Sequence, residues 1–137
     1  MRRKDYVRSL LLQKGVHTID LLNWFMGGRP QRVFATGALS VFGGDASNDK
    51  RCRDCVDAKT CPYFINHSSF IMDYGATVER DDRCVYAQEV DVNDQSIVSI
   101  EYDNGTRGTF IECHFTPEYT REFTLVGTKG KMHALYN

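Results

Sequence analysis

A histidine, an aspartate and an asparagine recur at three-residue intervals in a mostly apolar run: His17, Asp20 and Asn23 within Val16-His17-Thr18-Ile19-Asp20-Leu21-Leu22-Asn23-Trp24-Phe25-Met26. Positions i, i+3 and i+6 share one stripe of a helix. Imidazole has a reference pKa near neutrality, which suits His17 to take or give a proton at a substrate hydroxyl. A polar stripe on an apolar helix needs partners, because each unpaired buried polar group costs about 1–3 kcal/mol. Two accounts meet that need. In one, His17 caps the helix start while Asp20 and Asn23 bond neighbouring loops. In the other, the stripe lines a substrate cavity.

The second chemically capable group is cysteine. Cys52-Arg53-Asp54-Cys55 is followed by five residues and Cys61-Pro62, and 22 residues separate Cys61 from Cys84. Four soft ligands, two of them in a C-x2-C pair that one tight turn can present to one ion, match the donor set of a tetrahedral structural zinc site. Free thiols packed as small hydrophobes, disulfides and an iron–sulfur cluster are the other readings of the same residues. His67 is a substitute ligand in the zinc reading and a solvated loop residue otherwise. The remaining thiol, Cys113, is set apart by its place in a predicted hairpin.

The elements that must position these residues follow from the pattern. A helix over 16–26 stops at Gly27-Gly28 before Pro30, and its apolar residues point in nearly every direction, which predicts a buried helix. Residues 31–42 read as a strand. Residues 43–90 form a long irregular insertion holding the four cysteines, and a loop of that length is functional or tied down. Asn104-Gly105 between β-rich runs predicts a two-residue hairpin that pairs Asp103 with Thr106. That register puts Val98, Ile100, Tyr102, Ile111 and Cys113 on the core face, and Ile97, Ser99, Glu101, Phe110 and Glu112 on the other, with His114 beside them. Strands at 120–126 and 131–136 flank a turn at Gly127–Gly130. The sum is an α+β domain, an open, mainly antiparallel sheet with helices on one face.

Composition narrows the function. The chain has 137 residues, 42% hydrophobic and 26% charged, within the range of one globular domain. Its net charge of −1, from 17 basic and 18 acidic residues, gives no field to attract nucleic acid. No apolar stretch is long enough to span a bilayer, and Leu10-Leu11-Leu12 is too short for a secretory signal, so a cytoplasmic protein is expected. Asp45, Asp49, Asp54 and Asp57 lack calcium-loop spacing, and Asp81-Asp82 and Glu89…Asp91 lack the pattern of a paired-carboxylate site. Neither Gly27-Gly28 nor Gly43-Gly44 forms a dinucleotide fingerprint between a strand and a helix.

The stretch from Gln13 to Gly27 resembles the opening helix of the second domain in the Gfo/Idh/MocA family of oxidoreductases. The resemblance continues through Arg32-Val33-Phe34-Ala35, Gln95–Gly105 and Arg121-Glu122-Phe123-Thr124-Leu125-Val126-Gly127-Thr128-Lys129-Gly130. It implies an NAD- or NADP-dependent oxidoreductase acting on the CH–OH group of a sugar or polyol. His17 would then be the catalytic residue, with Gln13, Asp20 and Asn23 as substrate contacts. The family's usual carboxylate four residues before the histidine is Gln13 here, which can orient an imidazole but not stabilise its charge. The resemblance also implies a preceding dinucleotide-binding domain. Residues 1–137 are thus expected to be a C-terminal substrate and oligomerisation domain, inactive alone, with Met1 an internal residue of a longer chain. The half-apolar outer sheet face points to a homo-oligomer. The rival reading is a zinc-stabilised binding or oligomerisation module in which Cys52, Cys55, Cys61 and Cys84 matter and His17 does not.

Overall fold

The protein is described by a computed structural model over residues 2–66, 70–71, 75, 77–78, 81–116 and 118–136. A short helix α1 (Lys4–Val7) precedes a π-helical turn (Leu11–Gly15) that runs directly into α2 (Val16–Met26). α2 ends where Gly27 returns its N–H to the carbonyl of Asn23. Then come β1 (Pro30–Ala38), a 3-10 turn (Cys52–Asp54), β2 (Phe70–Ile71) and β3 (Thr77–Val78). β4 (Gln95–Tyr102), β5 (Arg107–Cys113), β6 (Arg121–Gly127) and β7 (Gly130–Tyr136) complete the chain. All described pairings between strands are antiparallel, in three groups: β1-β4-β5, β2-β3 and β6-β7. The α+β expectation holds, with separate sheets in place of one.

The core lies between the helix and the first sheet. Val98, Ile100 and Tyr102 of β4 are buried under Leu11, Ile19, Leu22 and Met26, with Phe110 of β5 beside them. Gly108 makes this approach possible: a Cβ there would stand 2.8 Å from a Leu22 methyl carbon. A buried helix was expected, but α2 has no fully buried residue, and Trp24 is 75% exposed. One apolar stripe meets the sheet. The rest of the apolar surface carries Leu12, Val16 and Trp24 outward, because apolar character alone does not supply a second covering layer. Phe25 is the exception, stacking edge-on against Phe123 of β6 at 5.9 Å.

The hairpin differs by one residue from the expected register. Ile97 faces Ile111 and Val98 faces Phe110, because the loop has three residues, Asp103 to Gly105, closed by the Tyr102 N–H to the Thr106 carbonyl. Gly105 supplies the left-handed position (φ 82°) that such a loop requires, and its own N–H bonds the Tyr102 carbonyl. The shift swaps faces on β5 alone. Phe110 and Glu112 turn toward the helix side, while Ile111 and Cys113 join Ile97 on the outer face. Cys113 is therefore not a core residue beside Val98, and His114 sits on the side of Glu112, not of Ile97.

β1 stops at Ala38, short of the expected Phe42, because a buried carboxylate captures the chain. Asp94 accepts the N–H groups of Ser40 (2.9 Å), Val41 (2.7 Å) and Phe42 (2.8 Å). Burial tends to raise its pKa, but the N–H donors of Phe42, Val41 and Ser40 outweigh burial and hold it below the ordinary value. Its backbone adds bonds from its N–H to Ala38 and from His114 to its carbonyl, so one residue ties the ends of β1, β4 and β5.

Candidate functional site

His17 and Asp20 stand on the exposed side of α2, and among the described residues neither makes a hydrogen bond or ion pair. Asn23, the third member of the stripe, is half-buried and accepts the Tyr102 hydroxyl at 2.8 Å. It thus locks the helix to the sheet while the other two side chains remain open. Gln13 is exposed and lies in the π-helical turn, which winds more slowly than an α-helix. Its spacing to His17 is therefore not that of a regular helical neighbour pair. An exposed imidazole with no partner can meet a substrate hydroxyl or carbonyl without first breaking an internal bond.

A second titratable pair went unread in the sequence. Glu112 is buried on the helix side of β5, and its carboxylate lies 3.2 Å from Nε2 of the half-buried His114, without hydrogen-bond geometry. Glu112 Oε2 also lacks a hydrogen-bond partner among the described residues. The signal was available: Glu-x-His on a strand puts both side chains on one face.

The carboxylates of the insertion are committed elsewhere. Asp82 is fully buried and takes bonds from Arg53 Nε (2.8 Å) and Nη2 (2.9 Å) and from Arg51 Nη1 (3.1 Å). The Arg53 guanidinium is the main cause holding its carboxyl far below the usual range, against the opposing effect of burial. Asp81 is chelated by Arg83, whose hydrogen bonds lower its pKa to about 2. Glu89 pairs with Arg2, and Asp91 accepts the Lys4 N–H. Each of the four thus serves a structural contact.

Cys52, Cys55, Cys61 and Cys84 are all free thiols, half-buried, and line one cavity of about 20 Å³ together with Lys50, Arg51 and Tyr63. Their backbone positions are set individually. The Cys55 N–H bonds the Cys52 carbonyl across the 3-10 turn, and the Cys61 N–H bonds the Asp57 carbonyl. An antiparallel bridge between Arg51 and Arg83 brings in Cys84, with Cys84 N–H to Lys50 and Cys52 N–H to Asp82. Charge on Cys55 is the chief cause holding the Lys50 ammonium above its ordinary value; burial opposes it, and Cys84 and Asp57 add to the rise. Among the described residues, no group of three or more His, Cys, Asp or Glu side chains is placed to hold a metal ion. His67 lies outside the described residues.

Comparison with known proteins adds the context. A family model described as the GFO/IDH/MocA C-terminal domain matches residues 2–133. "Putative oxidoreductase YteT" of Bacillus subtilis (strain 168) is 26% identical over 97% of this chain, which spans 36% of that protein's length. No solved structure gives a significant match. No described helix is long and apolar enough to cross a membrane.

Proposed function

The chain belongs to the GFO/IDH/MocA C-terminal domain family, and on that premise we propose that it is the substrate-side domain of a cytoplasmic, NAD(P)-dependent oxidoreductase acting on the CH–OH group of a sugar or polyol. The observation that carries the reading is His17, exposed and uncommitted on a helix that Asn23 and Tyr102 fix to the sheet. A nicotinamide held by a separate domain would supply the hydride acceptor, and the role of His17 would be to take the hydroxyl proton as the carbonyl forms. No glycine-rich strand–turn–helix cradle occurs among the described residues, which therefore offer no fit for the dinucleotide. Holding the cofactor is assigned to a separate domain, and binding and orienting the hydroxyl to this one. Gln13 and Asp20, both exposed on the helical segment that carries His17, are the nearest candidates for the neighbouring hydroxyls. The test is turnover. The intact protein is offered a panel of sugars and polyols with NAD and with NADP, and reduced nicotinamide is followed by absorbance. Cofactor reduction that depends on one of these substrates is expected; none across the panel, with the cofactor shown to bind, would refute the substrate assignment.

The same reading includes a homo-oligomer through the outer face of the first sheet. Phe34, Ile97 and Ile111 lie on that face at 70%, 43% and 68% exposure. They are flanked by the Arg32–Glu101–Arg107 ion pairs. Apolar groups framed by compensated charge suit a second copy of the same surface. Ile111→Glu should convert the assembly to smaller species in light scattering coupled to gel filtration. An unchanged mass would remove this face from the interface.

A further inference from the structure

We propose that Cys52, Cys55, Cys61 and Cys84 bind a single zinc ion in the cavity they share, as a structural clamp on the insertion and independently of the chemistry at His17. Three separate backbone devices deliver the four thiols to one cavity: the 3-10 turn, the turn before Cys61 and the Arg51–Arg83 bridge. No three of these thiols are placed to hold an ion as they stand, so the metal would draw together side chains that the backbone has already brought to one cavity, coupling its binding to the folding of the insertion. Among the described residues no histidine or carboxylate lines the cavity beside the four thiols, and an all-thiol donor set suits a soft ion such as zinc.

The walls are built from packed aromatic side chains. Tyr63 and Tyr86 both line the cavity and pack at 6.0 Å, and Tyr63 packs edge-on against Phe42 at 5.2 Å. The Tyr63 hydroxyl donates to the Phe115 carbonyl at 3.0 Å, anchoring the cysteine region to the segment after β5. On binding, four thiols release four protons to solvent and the Zn²⁺ accepts four thiolates, leaving the centre with a net charge of −2. Lys50 and Arg51 on the cavity wall supply positive charge beside it. The need for a clamp is plain from the fold. Between Leu39 and Asp94, the described strand pairing is the two-residue strands β2 and β3 and two isolated bridges, supplemented by single turn and loop bonds such as Gly43 N–H to the Val85 carbonyl. Ligation supplies folding energy to such a segment.

The intact protein, expressed with zinc and passed through gel filtration, should carry about one zinc per chain by elemental analysis. Cys55→Ser/Cys84→Ser should lose that zinc, and Cys113→Ser, whose thiol lies on β5, should keep it. Because the double variant could fail to fold, a second measurement uses the unmodified protein. Stripped of metal and titrated with Co²⁺, it should develop the intense visible bands of a tetrahedral thiolate complex. Metal-free protein whose native thiols all react with a thiol reagent and that shows no such bands would overturn the proposal. So would iron with sulfide-cluster absorption.

Discussion

Replacing His17 by alanine should lower kcat of the intact protein in the proposed oxidation by roughly 10²–10⁴, the usual worth of a positioned general acid–base. That corresponds to about 3–5 kcal/mol of transition-state stabilisation. The same change should leave thermal stability within about 0.5 kcal/mol, because His17 is exposed and has no described partner to lose. This separation is what makes the variant informative: an imidazole that only satisfied the fold would show the opposite, a stability loss without a rate effect. The rate deficit should also narrow as pH rises, since solvent base increasingly replaces the missing imidazole. Asn23→Ala should behave in the reverse sense. It breaks the bond to the Tyr102 hydroxyl and leaves a partly buried polar group unpaired. Its effect should fall first on stability and on kcat only through the position of the helix. Steady-state kinetics and thermal melts on the two variants check both statements. A His17→Ala enzyme with kcat close to the parent would remove the residue from the chemistry and leave the buried Glu112–His114 pair as the next group to examine.

Local features of this fold were legible in the sequence, and features made by distant contacts were not. The helix over 16–26 was readable because Gly27-Gly28 and Pro30 punctuate it, and its bounds in the structure match. The β6–β7 turn was readable for the same reason. The hairpin at Asn104-Gly105 was located correctly but misregistered by one residue. A two-residue and a three-residue loop use the same Asn-Gly pair, and only the closing bond from Tyr102 to Thr106 distinguishes them. That single step moved Phe110 into the core and Ile111 out of it, which shows how strongly one turn governs the composition of two faces. The end of β1 was not readable at all. β-propensity continues through Val41 and Phe42, yet their amides are taken by Asp94, more than fifty positions away. In the same way, adjacent Asp81 and Asp82, which lack the pattern of a paired-carboxylate site, divide between different partners, Asp81 with Arg83 and Asp82 with Arg51 and Arg53. The cysteines are the intermediate case. Their spacing suggested a common ligand, and the Arg51–Arg83 bridge that brings Cys84 to the other three is a contact no spacing rule contains. For the site itself, the stripe of His17, Asp20 and Asn23 was visible as a stripe. Its division into two open side chains and one structural bond depended on Tyr102 of β4.

Asp94→Ala should be among the most destabilising single changes in the domain, at about 2–4 kcal/mol and a fall of roughly 5–15 °C in melting temperature. The residue is fully buried, and its carboxylate is the acceptor for the Ser40, Val41 and Phe42 amides. Alanine removes that acceptor without removing the donors, so those amides lose a charged partner in a region where water enters poorly. The consequence reaches past the loop. Phe42 packs against Tyr63 and Phe115, so releasing it loosens the aromatic group that holds the cysteine cavity to the sheet. Asp94→Asn is the finer probe. It keeps the shape and one acceptor oxygen but turns an amide donor toward backbone N–H groups. Because the folded carboxyl is held below its ordinary value, its contribution is complete above the unfolded carboxylate pKa of about 4 and is lost as pH falls through the folded value. The stability gap between the parent and Asp94→Asn should therefore be widest near neutrality and close progressively below about pH 4. Denaturant melts of both proteins across that range measure the gap directly. A gap that stays constant with pH would mean that the Asp94 charge contributes nothing and that shape alone accounts for its place in the fold.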